Sequence, residues 1–288
     1  MIANASVQSP ANLEAALALL ADHGDALTII AGGTDLMVHG NPAMATADPI
    51  LNIWELDELR GIDEDGEWLV IGALTSYTEI IQSRVVQQYL PALVASAKTV
   101  GAVQIQNRGT LGGNLGNASP AADTPPVLLA AEGEVELISQ AGTRRVALDE
   151  FFLGYRSIDR RPDELVARIR CRKKTDNEHD WYRKVGPRLA QAISKVVLGG
   201  RLRVTNNGEV ASARLAAGSV APTTIRLRKT EAVLCGQPLS ESLAAEAGRT
   251  AGQEVQPIDD IRSTASYRST VTNNLVRRWI QDVMAPPG

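Results

Sequence analysis

Two glycine-containing segments, IIAGGTDL at residues 29–36 and GTLGGNLGNASPAAD at residues 109–123, interrupt otherwise hydrophobic stretches of the chain. The first directly follows a predicted buried strand. Successive small residues allow several backbone N–H groups to point into one concavity, which suits phosphate oxygens. Two such segments within 90 residues predict a long ligand with a diphosphate in its middle. Two purely structural loops are the alternative.

The second segment is predicted to be an open loop. Gly112, Gly113 and Gly116 permit positive φ and close approach of a ligand to the backbone. Asn114 and Asn117 tolerate left-handed backbone and can bond neighbouring peptide groups. These residue types favour a polar ligand held mainly by backbone atoms.

Short polar side chains accompany these glycines. Thr34 in the first segment and Thr110 and Ser119 in the second offer hydroxyl groups. Asp123 stands at the start of the predicted helix TPPVLLAAEG, where a carboxylate commonly caps the helix. Capping and a polar contact to the ligand are both open for Asp123.

Neither segment matches the common nucleotide-binding fingerprints. The pattern GxxxxGK[ST] is missing, so the lysine-and-magnesium chemistry of a nucleoside triphosphatase is not predicted. The pattern GxGxxG opening a helix after a strand is missing as well, so a Rossmann site is not predicted.

No catalytic constellation stands out elsewhere in the sequence. Cys171 and Cys235 are far apart and have neither a CxxC pattern nor a nearby histidine, so no disulfide framework or metal cluster is expected. His23, His39 and His179 show no metal-ligand spacing. Any chemistry is therefore expected to come from a bound cofactor, with the protein supplying orientation and electrostatics.

The composition is that of a globular protein with 44% hydrophobic and 22% charged residues. A net charge of −4 and the absence of a basic run interleaved with aromatic residues argue against a nucleic-acid partner. The first residues lack a basic targeting region, and no apolar run approaches the ~20 residues of a membrane span. We expect a cytoplasmic location.

The pattern of elements predicts an α+β fold. A first helix is expected after Ser9 as N-cap, with a buried stripe that includes Leu17 and Leu20 and with Gly24 just beyond its end. Strands are predicted at 27–31 and 49–53, and Asp65-Gly66 marks the turn of a hairpin. Further hairpins are expected from EVELIS with TRRVAL and from ISKVVLGGRLRV with EVASARLAAG, and helices are expected at 76–83, 90–100, 227–234, 240–253 and 266–284.

The charged stretch RKKTDNEHD at 172–180 has no periodicity and is the predicted linker. It divides the chain into residues 1–175, with subdomains of about 1–56 and 57–175, and a C-terminal domain at 176–288.

At this point the sequence resembles a known family. The pair IIAGGTDL and TLGGNLGNASPAADTPPVLLA, at a spacing of some 75 residues, is similar to the FAD-binding medium subunit of the molybdenum hydroxylases. That group includes xanthine dehydrogenases and the flavoprotein subunit of carbon monoxide dehydrogenase. WYRKVGPRLAQAISKVV and ARLAAGSVAPTTIRLRKTEAVLCG resemble the family's C-terminal domain, so the resemblance covers nearly the whole chain.

The resemblance implies a two-subdomain FAD-binding module of the vanillyl-alcohol oxidase (PCMH) type, followed by an α/β C-terminal domain. It also implies that the two segments hold the FAD diphosphate through backbone N–H groups. The residues carried over from the two segments are Thr28, Ile29, Ile30, Ala31, Gly32, Gly33, Thr34, Asp35, Leu36, Thr110, Leu111, Gly112, Gly113, Asn114, Ser119 and Asp123.

Three further cofactor contacts follow from the resemblance alone. Val100 stands where some relatives pack an aromatic side chain on the cofactor, a stack that valine cannot make. Ile193 stands where the family packs an aliphatic side chain on the isoalloxazine. Lys184 would place a positive charge near the N1/O2 edge and favour reduced anionic flavin, with an exposed strand lysine as the alternative. No catalytic or metal-binding residue is implied in this chain.

The implied function is that of the electron-exit subunit of an oxidoreductase complex. A large molybdopterin subunit and a small subunit with two [2Fe–2S] clusters would be its partners, in a dimer of heterotrimers. FAD would pass electrons from the clusters to NAD⁺, a quinone or oxygen. Two other functions stay open: a self-contained flavin oxidase of the vanillyl-alcohol oxidase type, and a non-catalytic nucleotide-binding scaffold.

Overall fold

The computed structural model describes residues 6–38 and 49–285, so His39 lies outside the described residues. The helices of these residues are α1 (Leu13–His23), α2 (Tyr77–Gln82), α3 (Arg84–Tyr89), α4 (Pro91–Ala97), α5 (Val103–Arg108), α6 (Leu111–Asn117), α7 (Pro125–Ala130), α8 (Leu148–Phe151), α9 (Arg228–Leu234), α10 (Glu241–Glu254) and α11 (Ala265–Met284).

The strands of the same residues are β1 (Val7–Gln8), β2 (Thr28–Ile30), β3 (Ile50–Asn52), β4 (Ile62–Asp65), β5 (Trp68–Gly72), β6 (Glu134–Ser139), β7 (Gly142–Ala147), β8 (Phe152–Gly154), β9 (Ser157–Ile158), β10 (Leu165–Arg172), β11 (Glu178–Val185), β12 (Val196–Val204), β13 (Val210–Gly218) and β14 (Ile225–Arg226). Helices and strands are mixed along the chain, which confirms the α+β prediction.

The first part of the chain forms a small parallel sheet in the order β1-β3-β2. Helix α1 covers it with Ala16, Leu17 and Leu20, which belong to one buried cluster together with Leu51 of β3. Helix α1 connects β1 to β2, the two outer strands, and both pair in parallel with the central strand β3. Strand β2 ends where the first glycine segment begins.

The middle of the chain forms an antiparallel sheet in the order β4-β5-β10-β6-β7. The β4–β5 hairpin was predicted from Asp65-Gly66, and the pairing of Asp65 with Trp68 places the turn there. The predicted hairpin of EVELIS with TRRVAL is β6–β7. Helices α2, α4, α6 and α7 pack against this sheet and bury a second cluster that includes Ile71, Leu115, Leu128 and Ile169.

The C-terminal part forms an antiparallel sheet in the order β11-β12-β13-β14. One face packs against α10 and α11 through a third cluster that includes Leu198, Leu215 and Trp279. The other face contacts α4 and α7 of the preceding part, and Tyr182 and Ala216 pack with the second cluster. Successive side chains of these strands point to opposite faces of the sheet, so they pack alternately into the second and the third cluster.

Several local predictions are confirmed and two are wrong. The strands around 27–31 and 49–53 and the three C-terminal helices are confirmed. The N-cap of α1 is Asn12, whose side chain accepts from the N–H of Ala15, so the prediction of Ser9 is wrong. The predicted linker is shorter, because β10 ends at Arg172 and β11 begins at Glu178.

Candidate functional site

A cavity of about 510 Å³ lies between the two glycine segments. This volume is within the ~300–1,000 Å³ range of small-molecule sites. Its wall combines the end of β2 and the following turn with α6 and with parts of the β8–β9 hairpin. The two segments, 75 residues apart in the sequence, thus face one space.

The turn at residues 32–34 of the first segment supplies open backbone donors. Gly33 has a φ of +75°, a left-handed conformation that glycine adopts without strain. Among the described residues, no acceptor takes a hydrogen bond from the backbone N–H groups of Gly32, Gly33 or Thr34. All three residues line the cavity. The turn therefore presents N–H groups that a phosphate can accept from.

Gly32 also joins the first segment to the second. A Cβ atom at this position would lie 1.6 Å from the carbonyl oxygen of Arg108, the last residue of α5. Arg108 directly precedes Gly109 and Thr110, which also line the cavity. Only a residue without a side chain permits this approach, so Gly32 fixes the distance between the two walls.

Within the second segment, Leu111–Asn117 forms helix α6, so the prediction of an open loop is wrong for these residues. Thr110 is the N-cap of α6, and its hydroxyl accepts from the N–H of Gly113 at 3.1 Å. Gly112, Gly113 and Gly116 do not have positive φ; the left-handed residue is Ala118, at the C-cap.

The N–H groups at the start of α6 already have acceptors. Leu111 donates to the carbonyl of Thr75 at 3.1 Å, and Gly112 donates to that of Ala73 at 2.8 Å. Asn114 donates to the carbonyl of Thr110 at 3.0 Å. The N–H groups of Gly32, Gly33 and Thr34 are therefore the donors that the first segment leaves open in this site, and α6 supplies a wall of small residues.

The glycines of α6 shape that wall in different ways. A Cβ atom at Gly112 would lie 2.5 Å from the Cβ of Ala73, so this glycine is needed for packing. At Gly116 a Cβ atom would meet nothing within 4 Å. Gly116 lines the cavity, and its missing side chain leaves space there.

The structure places most of the predicted residues around the cavity. The predicted residues that line it are Ile29, Ile30, Ala31, Gly32, Gly33, Thr34, Asp35, Leu36, Val100, Thr110, Gly112, Gly113 and Asn114. The predicted residues outside its lining are Thr28, Leu111, Ser119, Asp123, Lys184 and Ile193. Leu111 belongs to the second core cluster instead.

Asp123 and Lys184 form a buried ion pair next to the cavity. Lys184 Nζ lies 2.5 Å from Asp123 Oδ2 and donates to the carbonyl of Thr99 at 3.1 Å, while Ser194 Oγ donates to Asp123 Oδ1. Burial raises the pKa of Asp123, and the charge of Lys184 opposes this rise. Burial and the nearby Asp123 carboxylate raise the pKa of Tyr77, which lines the cavity.

The ion pair decides between the alternatives for Asp123, a helix cap or a polar contact, and for Lys184, a buried or an exposed lysine. Asp123 does not cap α7, because Thr124 is the N-cap residue and no side chain caps that helix. Lys184 lies on strand β11 as expected, but its side chain is only 7% exposed, so the exposed-lysine alternative is wrong.

The segment that follows β11 approaches the cavity near Val100. The N–H of Gln191 donates to the carbonyl of Gly101 at 3.0 Å. Ile193 lies in the same segment and is 51% exposed. Thr99, the acceptor for Lys184, precedes Val100 in the sequence. Lys184 therefore lies beside the Val100 end of the cavity, and the segment that carries Ile193 is anchored at Gly101, next to Val100.

Two arginines of the cavity wall had no signal in the sequence. Arg156 lies in the turn between β8 and β9, and Arg160 follows β9. Both lie more than 30 residues beyond the second glycine segment and carry no motif. Only the folding of the hairpin against α6 brings them to the site, so sequence inspection missed them.

No helix within residues 6–38 and 49–285 has the length and apolar character needed to cross a membrane. Within the same ranges, no group of three or more His, Cys, Asp or Glu side chains is arranged to hold a metal ion.

Comparison with known protein families gives two matches along the chain. Residues 3–171 match the family model described as the FAD binding domain in molybdopterin dehydrogenase. Residues 181–283 match the CO dehydrogenase flavoprotein C-terminal domain.

Individual proteins are similar over almost the full length. The carbon monoxide dehydrogenase medium chain of Hydrogenophaga pseudoflava is 31% identical over 96% of both chains. The xanthine dehydrogenase FAD-binding subunit of Escherichia coli O157:H7 is 31% identical over 99% of this chain and 97% of its own. A solved carbon monoxide dehydrogenase from Hydrogenophaga pseudoflava superposes with a TM-score of 0.89 and 30% identity, covering 96% of this chain and 95% of that one.

Proposed function

Because the chain belongs to the family of FAD-binding medium subunits of the molybdenum hydroxylases, a family of oxidoreductases, we propose that it holds one FAD non-covalently in the cavity between its two glycine segments. The observation that carries this proposal is that Gly32, Gly33 and Thr34 line the cavity and that their N–H groups have no acceptor among the described residues. Such a set fits the oxygens of a diphosphate.

The walls of the cavity support the same assignment. Helix α6 offers a surface with little side-chain bulk, on which a long ligand can lie close to the backbone. Thr34 and Thr110 supply hydroxyl groups, and Asp35 supplies a carboxylate. We place the diphosphate against residues 32–34.

We place the isoalloxazine toward the Val100 end. Val100 and Ile193 would pack on its faces, with Ser119 near the same end. Lys184 and Asp123 form a neutral pair of charges there. A positive charge on Lys184 that is already matched by Asp123 stabilises an anionic flavin less than an unpaired lysine does. The pair instead offers a fixed donor and acceptor beside Tyr77.

In the complex, this chain would be the electron-exit subunit. A large subunit with molybdopterin would oxidise the substrate, and a small subunit with two [2Fe–2S] clusters would carry electrons to this chain, in a dimer of heterotrimers. When bound, FAD supplies the capacity to accept electrons singly and to release them in pairs to NAD⁺, a quinone or oxygen. The residues of this chain bind the cofactor, orient it and exclude water from it.

We assign residues 1–175 to FAD binding, with subdomains of about 1–56 and 57–175, and residues 176–288 to a C-terminal domain. The parallel sheet of the first subdomain, the five-stranded sheet of the second and the connection between β10 and β11 support this division.

The test of the function is a titration of the purified chain with FAD. We expect one equivalent to bind, with a flavin absorption spectrum that survives gel filtration and with a raised unfolding temperature. Co-purification with both partner chains, followed by an assay with a dye acceptor, tests the role in the complex. A chain that retains no flavin and shows no thermal shift would exclude the proposal.

A further inference from the structure

We propose that Arg156 is the side-chain cation that binds the diphosphate of FAD, an inference that rests on the proposed function. Arg156 lies in the turn of the β8–β9 hairpin, and it lines the same cavity as Gly32, Gly33 and Thr34. No part of the glycine motifs includes it. The inference adds a charged contact to a site that otherwise offers the diphosphate only neutral donors.

The charges that line the cavity favour such a contact. The diphosphate of FAD is anionic, and an anion taken from water needs a counter-charge or several donors. The charged residues that line the cavity are Asp35, Arg156 and Arg160. Asp35 has the same sign as the ligand, so the counter-charge falls to one of the arginines.

Arg160 is already engaged by the protein. Its Nη2 lies 3.1 Å from Asp25 Oδ1, and its Nη1 donates to three carbonyl oxygens within residues 161–164. Replacing these acceptors by a ligand would leave Asp25 and the carbonyls without their donor.

Arg156 has donors to spare. Its Nη1 donates to Asn117 Oδ1 at 3.1 Å, and among the described residues it forms no ion pair. Asn117 is the last residue of α6 and also lines the cavity. This hydrogen bond holds the guanidinium beside α6 and leaves Nε and Nη2 available. A guanidinium presents these donors in a fork that matches phosphate oxygens.

The backbone at Arg156 indicates that its side chain is needed for more than the fold. Its φ of +52° lies in the left-handed region, where glycine is unstrained and arginine is not. The hairpin is anchored elsewhere, because Arg144 binds both Asp159 and Glu164 immediately after it. The turn therefore keeps an arginine at a position where glycine would suit the backbone better.

The experiment uses the full chain freed of flavin and three probes. FAD and ADP carry the diphosphate, whereas riboflavin does not. The variants are Arg156→Gly, which removes the charge and relieves the backbone, and Arg156→Lys, which keeps the charge without the fork. Arg161→Met is the control, because Arg161 is exposed in the connection after the same hairpin and does not line the cavity.

We expect Arg156→Gly to weaken FAD and ADP binding by about 10- to 100-fold. Riboflavin binding should be unchanged, and Arg156→Lys should lose less than Arg156→Gly. Arg161→Met should match the wild-type chain with all three probes. The flavin-free Arg156→Gly protein should unfold at or above the wild-type temperature, which shows that the loss of affinity is not a loss of fold.

Two results would overturn the inference. One is FAD affinity unchanged in Arg156→Gly. The other is an equal loss for FAD and riboflavin, which would show that Arg156 acts on cavity shape and not on the diphosphate. A wild-type chain that binds neither flavin would instead overturn the proposed function, and this inference with it.

Discussion

At the scale of single residues, the glycines of the two segments are required for different reasons. Gly33 is needed for its positive φ. Gly32 and Gly112 are needed because backbone or Cβ atoms of Arg108 and Ala73 come too close for a side chain. Gly116 has neither constraint, so space for a ligand is the physical reason that accounts for it.

This difference gives a prediction for Gly116→Ala. The residue lies within α6, where alanine is more favourable than glycine by about 0.5–1 kcal/mol, and its methyl group would meet no protein atom. The flavin-free protein should therefore become more stable, as measured by urea unfolding. The methyl group would occupy cavity space, so FAD affinity should fall about tenfold.

Gly154→Ala is the matched control for that variant. Gly154 also has open space around its missing Cβ, but it lies on β8 outside the cavity lining. Its replacement should leave FAD affinity unchanged. A Gly116→Ala protein that binds FAD as tightly as the wild-type chain would show that the ligand does not lie against α6.

The sequence identifies the residues of the first segment but not the arginines opposite. Residues 29–36 can be recognised because strand, small residues and turn are contiguous, and the structure keeps all of them at the cavity wall. Arg156 and Arg160 are brought there by a hairpin whose packing depends on contacts distant in sequence. Local residue patterns carry no information about such contacts.

At the scale of elements, α6 is a helix although its glycines give the segment a low intrinsic helix propensity. Three glycines in seven residues predict a loop, because glycine is a poor helix former. The segment is helical because Thr110 caps it and because its first N–H groups bond to residues 73–75. Tertiary contacts supply what the intrinsic preference lacks.

The ion pair of Asp123 and Lys184 connects the segment after α6 with strand β11. Because both side chains are buried, Lys184→Met should leave an uncompensated carboxylate and lower the free energy of unfolding by about 3–5 kcal/mol. The double variant Asp123→Asn/Lys184→Met should be less destabilised than the sum of the single changes. Urea unfolding of all four proteins measures this coupling.

Lys173→Met provides a comparison for that cycle. Lys173 Nζ lies 2.6 Å from Glu64; the lysine side chain is 14% exposed and the glutamate side chain is 46% exposed, so water reaches the carboxylate of this pair. Its loss should cost about 1 kcal/mol or less. Equal effects of Lys173→Met and Lys184→Met would contradict the buried character of the Asp123 pair.

The hairpin that carries Arg156 is anchored by carboxylates that respond to pH. Hydrogen bonds from Arg144 lower the pKa of Asp159. Burial alone would raise the pKa of Glu164, but the hydrogen bonds from Arg144 and from the N–H of Arg161 outweigh it, so this pKa is lowered as well. The unfolded chain then binds more protons at acidic pH than the folded chain.

The sign of the pH effect follows from these shifts. The stabilisation by both carboxylates is complete above about pH 5 and is lost as the pH falls through the lowered pKa values. We expect the unfolding temperature to fall in acid, and Arg144→Met to lower it at neutral pH and to flatten the acid slope. Arg145→Met, on the opposite and more exposed side of β7, should leave the slope unchanged. An acid slope that Arg144→Met does not alter would contradict the assignment.

At the scale of the whole molecule, the C-terminal sheet belongs to two cores at once. Its β12 strand alternates between Leu198, which packs under α10 and α11, and Gly199, which faces α7. The chain pattern correctly indicated the hairpin of β12 and β13, and it placed a connection at 172–180 that is shorter in the structure. It did not indicate that the preceding part of the chain covers the second face of the sheet. The small residues on that face, Gly199 and Ala216, do not form a recognisable hydrophobic stripe in the sequence.

The second face of the sheet packs closely against the preceding part of the chain, and a buried ion pair lies on strands β11 and β12. A Cβ atom at Gly199 would lie 2.5 Å from the backbone nitrogen of Val127 in α7. Arg201 pairs with Asp180 at 2.6 Å, with both side chains 4% exposed, and donates to the carbonyl of Arg172 at 2.8 Å. The two parts are thus expected to unfold together, although a short connection joins them.

Cleavage of that connection tests this directly. Residues 175–177 are exposed, so a specific protease site inserted there should be cut in the folded protein. We expect the two fragments to remain associated in gel filtration and to melt in one transition, because the interface and not the connection holds them. Gly199→Val should release the fragments after cleavage, whereas Ala211→Val, which adds similar bulk at an exposed position of β13, should not. Separation of the fragments in the otherwise unchanged chain would mean that the shared sheet does not bind the two parts together.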